Sequence, residues 1–138
     1  MANIMITSTR GIIVNKFRDT PMISIREFYN NKKGELQPGV KGIAMLPDHF
    51  NKLQSSINDI DNAIETGNVN TPIVSISKKQ KVTISSYKGN TYVDFREFYE
   101  KEGVTLPGKK GIALTLPQWE LIKSNLSTVV EKVAELSV

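Results

Sequence analysis

The chain has no cysteine and one histidine, His49. Without thiols, disulfides and thiolate metal sites are excluded, and so is thiolate chemistry. Nothing approaches the run of about 18 apolar residues that a membrane helix needs. No charged segment leads into an apolar stretch at the start, so no secretory signal is expected. No glycine pattern of the phosphate-cradling kind precedes a helix. Charge of one sign is also scarce, with 18 Lys+Arg against 14 Asp+Glu and a net of +4. That slight basicity is compatible with a polyanionic partner. These absences remove the common enzyme classes, so neither catalysis nor a cofactor is expected, and an intracellular setting fits.

What the chain does contain is a repeat. Arg26-Glu27-Phe28-Tyr29 returns as Arg96-Glu97-Phe98-Tyr99, 70 residues on, and Lys41-Gly42-Ile43-Ala44 returns as Lys110-Gly111-Ile112-Ala113, 69 residues on. One residue has been lost from the loop between these blocks. Recurrence of this length marks a tandem duplication, with repeats at 1–68 and 69–138. A module of about 70 residues rarely supplies more than about 3–5 kcal/mol alone, so each half is expected to lean on the other. Residues 1–70 carry 8 basic and 7 acidic groups and residues 71–138 carry 10 and 7, giving +1 and +3. The second half is therefore expected to hold anions more tightly.

Four short strands and a helix are predicted per repeat. Ile4–Ile6 and Val74–Ile76 lead. Ile12–Phe17 and Val82–Tyr87 begin with the apolar-polar alternation of a half-buried strand. Turn signals follow at Asp19-Thr20-Pro21 and Lys88-Gly89-Asn90, so the strands ending in the Arg-Glu-Phe-Tyr blocks close hairpins. The segments 34–39 and 103–108 read as loops, and 40–45 and 110–114 as fourth strands. Helices carry apolar seams at Phe50, Leu53, Ile57, Ile60, Ile64 and at Trp119, Ile122, Leu126, Val129, Val133, Leu136. Steps of three and four predict faces that meet one another. Pro47 suits a first helical turn, and Thr115 with Gln118 resembles a capping box. Residues 65–72 form the linker.

Catalytic groups are sparse. His49 is matched by Gln118, so no histidine-based nucleophile site can occur in both copies. Asp59 and Asp61 sit two apart on a helix, face different ways, and read as a solvated acidic face, not a metal site. What remains is cations interleaved with aromatics: Arg10, Phe17, Arg18, Arg26, Tyr29 and Lys41 in the first copy, and Lys78, Tyr87, Lys88, Arg96, Tyr99, Lys109 and Lys110 in the second. Single-stranded nucleic acid calls for this combination, cations along the phosphates and ring faces under unpaired bases. The pattern alone equally fits half-buried sheet aromatics among ordinary solvated charge.

Each copy resembles the single-stranded DNA-binding core of the transcriptional coactivator called positive cofactor four. The marks are Tyr87-Lys88-Gly89-Asn90, the block Val93–Tyr99, Pro107-Gly108-Lys109-Lys110-Gly111-Ile112 and Trp119. In the first copy they are Arg26–Tyr29, Pro38-Gly39, Lys41-Gly42-Ile43 and 57–61. The resemblance implies an α+β fold with two repeats. Each would be a curved four-stranded antiparallel sheet followed by a helix, and the two would pack through the helices as an intramolecular pseudo-dimer. It further implies opposed grooves for single strands, as in a melted duplex. The implied contacts are aromatic Phe17 and Tyr87, cations Arg18 and Lys88, strand arginines Arg26 and Arg96, and stacking rings Tyr29 and Tyr99. The loop contacts fall on Pro38, Gly39 and Lys41, and on Pro107, Gly108 and Lys110.

The copies depart from that pattern at Gln37 and Leu106, Asn15 and Ser85, and Thr20 and Asn90, where basic groups are missing. The expected function is non-specific single-stranded DNA binding in transcription, or in replication or recombination. The expected location is the nucleus of a eukaryote, or the cytoplasm or nucleoid of a bacterial or viral system. The competing expectations are a protein-recruiting transcription cofactor, using the acidic face at Asp59 and Asp61, and an RNA-binding module. Transcription or replication proteins are possible partners, and the chain is expected to act as a monomer with an internal pseudo-dimer, a higher oligomer being the alternative.

Overall fold

The computed structural model describes residues 2–136. The elements run twice in one order. Strands β1 (Ala2–Met5), β2 (Arg10–Phe17), β3 (Thr20–Asn30) and β4 (Leu36–Met45) precede helices α1 (Pro47–Ser55) and α2 (Ile57–Thr66). Strands β5 (Pro72–Ser75), β6 (Gln80–Tyr87), β7 (Asn90–Lys101) and β8 (Val104–Thr115) precede α3 (Leu116–Ser124) and α4 (Leu126–Leu136). Each set of strands forms one antiparallel sheet in sequential order. Two four-stranded sheets, each followed by helical segments, give the tandem α+β layout that the sequence implies.

Alternation decides the inner faces. Ile12 and Val14 of β2 stand opposite Ile25 and Ile23 of β3, which in turn oppose Ile43 and Met45 of β4. Val82 and Ile84, Phe95 and Val93, and Ile112 and Leu114 repeat this in the second sheet. All of these are buried. A shift of one residue in any ladder would turn the apolar set outward, so the register is strongly specified.

The hairpin turns differ from expectation in one copy. Pro21 lies within β3, paired with Lys16, and the turn is Arg18-Asp19. Both residues have positive φ, 51° and 65°, as do Lys88 and Gly89 at 50° and 78°. Two successive positive-φ residues match the right-handed twist of the flanking strands.

A second correction concerns Pro38-Gly39 and Pro107-Gly108, expected in loops. Both pairs belong to strands, with Pro38 opposite Phe28 and Pro107 opposite Phe98. Proline is tolerated because β4 and β8 are edge strands, where no ladder partner needs its N–H. The loops proper shrink to residues 31–35 and the turn at 102–103.

The helices are the third. The seams read as continuous, yet each helix breaks at one residue, Ser56 or Asn125, with φ −105° and ψ 2° in both. The Ser56 hydroxyl donates to the Lys52 carbonyl at 2.7 Å, and the Asn125 amide donates to the Leu121 carbonyl at 2.8 Å. Each side chain takes the carbonyl four residues back that its own backbone N–H would have used, and that N–H bonds three residues back instead, to Leu53 or Ile122, which bends the helix. The outer segments thereby cross over. α2 packs on β5 and β6 of the second sheet, and α4 packs on β2 and β3 of the first. The pseudo-dimer is joined mainly by helix on opposite sheet, with β4 packed against β7 and β8. Direct helix-to-helix bonding is local. Asp61 of α2 accepts from the Trp119 indole N–H at 2.8 Å and from Lys123 Nζ at 2.9 Å, both on α3. Asp61 is therefore an anchor between repeats, not part of a solvated face.

Buried residues from both repeats form a single core, with Trp119 tilted against Phe95 at 5.9 Å between ring centroids. Pro47 opens α1, and Thr115 and Gln118 form the reciprocal capping box at the start of α3.

Candidate nucleic-acid interface

The outer face of each sheet carries the polar positions of the alternation. On the second sheet, Lys81, Thr83 and Ser85 of β6 stand directly opposite Arg96, Asp94 and Tyr92 of β7. Tyr87 continues the same row to the turn. On the first sheet the row is Gly11, Ile13, Asn15 and Phe17, opposite Arg26, Ser24, Met22 and Thr20. Period-2 geometry thus puts Phe17 with Arg26, and Tyr87 with Arg96, on one open face per repeat.

The rings are presented, not packed away. Phe17, Tyr29, Tyr87 and Tyr99 are 61%, 55%, 64% and 50% exposed. Of the two readings left open by pattern alone, half-buried sheet aromatics do not describe these four. The cations of the turns sit beside their rings, with Arg18 Cζ 5.3 Å from the Phe17 centroid and Lys88 Nζ 5.3 Å from that of Tyr87. A base stacking on either ring would find a cation within reach of its phosphate.

At the far end of β3 and β7 the ladder is irregular. Between Arg26 and Phe28 the edge strand sets residues 39–41 against Glu27 alone, and the second sheet repeats this between Arg96 and Phe98. Such bulges re-aim side chains. Here Arg26 Nη1 donates to the Gly39 carbonyl and Arg96 Nη1 to the Gly108 carbonyl, each at 3.1 Å. A Cβ on Gly39 would stand 3.6 Å from Tyr29 Cδ1, and one on Gly108 would stand 3.7 Å from Tyr99 Cδ1. The strand arginine, the Pro-Gly backbone and the tyrosine are therefore neighbours in both copies. In the first, Tyr29, Pro38, Gly39 and Lys41 line a shallow cavity of about 350 Å³. Lys109 and Lys110 are exposed on β8, as Lys41 is on β4.

Gly42 and Gly111 explain how the arginines lie flat. A Cβ on Gly42 would meet the Ile25 carbonyl at 2.5 Å and Arg26 Cα at 2.9 Å; one on Gly111 would meet the Phe95 carbonyl at 2.5 Å and Arg96 Cζ at 2.8 Å. Each glycine is the seat over which its arginine crosses the edge strand.

The two faces differ in charge pairing. Arg96 is held by Asp94, Nε to Oδ1 at 2.9 Å and Nη2 to Oδ2 at 3.1 Å. The equivalent of Asp94 is Ser24, and no ion pair reaches Arg26 among the described residues. Burial pulls the Arg26 pKa below the usual guanidinium value, but arginine stays cationic throughout the neutral range.

Two predicted contacts lie apart from these faces. Arg10 turns to the other repeat. Its Nη1 donates to the Ala113 carbonyl at 2.6 Å and to Gln118 Oε1 at 3.0 Å, and its Nη2 pairs with Glu27 at 3.2 Å. Its counterpart Gln80 donates to the Ala44 carbonyl at 2.6 Å. These are clasps between the halves, and Arg10 has little charge left for a phosphate. Lys78 sits in the turn between β5 and β6, on a crevice shared with His49 and Glu97. Lys81, Asp94 and Phe98 were missed as site residues. Extending the alternation of β6 back from Tyr87 through Ser85 and Thr83 would have found Lys81.

The fold and these paired rims define a duplicated sheet-and-helix protein, each half carrying one open face of rings and cations. The chain belongs to the Transcriptional Coactivator p15 (PC4) family, whose model matches it twice, at residues 4–56 and 74–125. Among its relatives is the RNA polymerase II transcriptional coactivator KIWI of Arabidopsis thaliana, 38% identical over 65 residues, 47% of this chain and 61% of that protein. The coactivator KELP of the same plant is 41% identical over 64 residues, 46% of this chain and 39% of that protein. An RNA polymerase II transcriptional coactivator of Drosophila melanogaster is 54% identical over 41 residues, 30% of this chain and 37% of that protein. The chain thus spans less than two thirds of the length of these relatives. A solved MoSub1–ssDNA complex is 34% identical, with a TM-score of 0.42, over 44% of this chain and 74% of that one.

Proposed function

We propose that this chain binds single-stranded DNA on both sheet faces, without catalysis, and serves transcription. The observation that carries the reading is the exposure of four aromatic rings, two per repeat, each beside arginine, lysine or bare backbone. Unpaired bases stack on such rings at about 1–3 kcal/mol each, and the stacking tolerates any sequence. Arg18, Arg26 and Lys41, and Lys88, Arg96, Lys109 and Lys110, would neutralise the backbone and release counterions. A duplex keeps its bases paired and cannot reach the rings. The relatives' names, coactivators of RNA polymerase II, support transcription as the process and hence the nucleus in a eukaryote; replication and recombination offer the same chemistry. The repeats at 1–68 and 69–138 would each supply one groove, so one chain would do the work of a dimer. A protein-recruiting surface centred on Asp59 and Asp61 is the weaker reading, because Asp61 is engaged with Trp119 and Lys123.

The test is fluorescence anisotropy with labelled oligo-dT at low salt. Tight binding is expected, weakening with salt at a slope of about −0.7 per phosphate neutralised. Tyr29→Ala with Tyr99→Ala should weaken it by tenfold or more while leaving circular dichroism unchanged, at about 1–3 kcal/mol per ring. Failure of the wild-type chain to bind oligo-dT overturns the proposal. An equal preference for matched RNA would shift it to nucleic acid in general.

A further inference from the structure

We infer that Lys81 is a phosphate-binding residue of the second face, carrying there the charge that Arg26 carries on the first. The inference rests on the single-strand reading above and refines it. Arg96 becomes chiefly a positioned hydrogen-bond donor, and the counter-charge inside the second trough comes from Lys81.

One cross-strand row runs through each arginine. On the first sheet it is Met5, Gly11, Arg26 and Gly42; on the second it is Ser75, Lys81, Arg96 and Gly111. Gly11 leaves space that Met5 fills, since a Cβ there would stand 2.8 Å from the Met5 sulfur. The first row therefore holds one cation, Arg26, beside a thioether. The second holds two, Lys81 and Arg96, and Asp94 stands where the first repeat has Ser24. With Asp94 counted, each patch carries one net positive charge.

What differs is the group that presents the charge. Arg26 uses only Nη1, on the Gly39 and Val40 carbonyls at 3.1 and 3.4 Å, and its Nε and Nη2 have no hydrogen-bond partner among the described residues. That side of a guanidinium is a fork that can take a phosphate bidentately. In Arg96 the same side is closed by Asp94, on Nε at 2.9 Å and on Nη2 at 3.1 Å, while Nη1 donates to the Gly108 carbonyl at 3.1 Å. Arg96 keeps an N–H on Nη2 for a strand, but its charge is already matched. Lys81 is not matched. Among the described residues no carboxylate lies within ion-pair distance of it. Its Nζ stands 5.9 Å from the Phe98 ring centroid and donates to the Ser75 hydroxyl at 3.2 Å. These contacts steady the ammonium without neutralising it, and two of its three protons stay free. Lys81, Asp94, Arg96 and Phe98 line one open trough of about 630 Å³. A backbone entering that trough meets Lys81 as its one uncompensated charge.

The test measures the salt dependence of oligo-dT anisotropy on the full chain, with Arg26→Ala and Tyr29→Ala in the parent to weaken the first face. Lys81→Gln should reduce the magnitude of the slope by about 0.7, the share of one phosphate, and Lys81→Arg should retain it. Removing the neutral pair as a unit, by Arg96→Gln with Asp94→Asn, should leave the slope nearly unchanged. Asp94→Ser added to Lys81→Gln should restore the lost slope, because Arg96 then has the open fork of Arg26. A lysine with a structural role alone would move the urea midpoint and leave the slope where it was. The inference is overturned if Lys81→Gln keeps the parent's slope, if loss of the neutral pair lowers it as much, or if Asp94→Ser restores nothing. A parent that ignores oligo-dT while the wild-type chain binds it overturns the inference too. The single-strand reading itself falls only if the wild-type chain ignores oligo-dT.

Discussion

Asp61 and Trp119, 58 positions apart and on different repeats, are joined by an indole N–H to carboxylate bond of 2.8 Å. Lys123 closes on the other oxygen at 2.9 Å, and its ammonium lies 5.7 Å from the Trp119 ring centroid. The residue that ties the halves together thus lies on a helix whose neighbour Asp59 is merely solvated. Asp61→Ala leaves the buried indole N–H unpaired, which costs about 1–3 kcal/mol, whereas Asp59→Ala should fall within about 0.5 kcal/mol of wild type. Urea titration of the two variants separates them, and equal midpoints would show the contact to be energetically idle.

Lys123 makes the same junction sensitive to alkali. Burial opposes its charge, but hydrogen bonds to Glu120 and Asp61 outweigh that and raise its pKa above the ordinary value of 10.5. The folded state therefore holds this proton more tightly than the unfolded chain does. The contribution is fully present below the unfolded value and is lost as pH rises through the folded one. Melting temperature should fall above about pH 10.5, and Asp61→Asn should flatten that fall. Parallel curves for the two proteins would count against the linkage.

Arg10 and Arg26 predict opposite phenotypes. Arg10→Ala removes charge-assisted bonds to Ala113, Gln118 and Glu27, each class worth about 1.5–3 kcal/mol. It should lower stability yet leave the salt slope of oligonucleotide binding unchanged. Arg26→Ala should do the reverse, reducing the slope by about 0.7 with little change in the urea midpoint. A lowered slope for Arg10→Ala would return that residue to the interface.

Gly42→Ala and Gly111→Ala test the arginine seats. The added Cβ would meet main-chain oxygen at 2.5 Å in either case, so the edge strand must shift, at about 1–3 kcal/mol for overpacking. Oligonucleotide affinity should drop along with stability, because Arg26 or Arg96 loses its position. If affinity holds while stability falls, the seat matters to the strand alone.

Much of this was legible beforehand for a physical reason. Repeat, strand and helix each impose a period on the chain, and periods survive in sequence. The duplication, the alternating strands, the capping box at Thr115 and Gln118, and the presence of rings beside the turns all follow from spacing and local chemistry, whereas the exposure of those rings came from the structure. The Pro-Gly pairs were misplaced because a proline in an edge strand looks like a loop until its neighbours are known. The breaks at Ser56 and Asn125 were invisible because the apolar seams run through them without interruption.

What depended on tertiary structure is which partner each side chain meets. Composition determined that cations and rings recur in both halves, and local patterning placed most of them on one face of a sheet. Only the packing of one repeat on the other decided that Arg10, through β8 and α3, and Asp61, through α3, would join the halves instead of facing solvent. The pairing of Asp94 with Arg96 is, by contrast, local, because the two lie two residues apart on one face of β7. Hydrogen bonds and ion pairs act over about 3 Å, and residues distant along the chain reach that range only once the fold has brought them together.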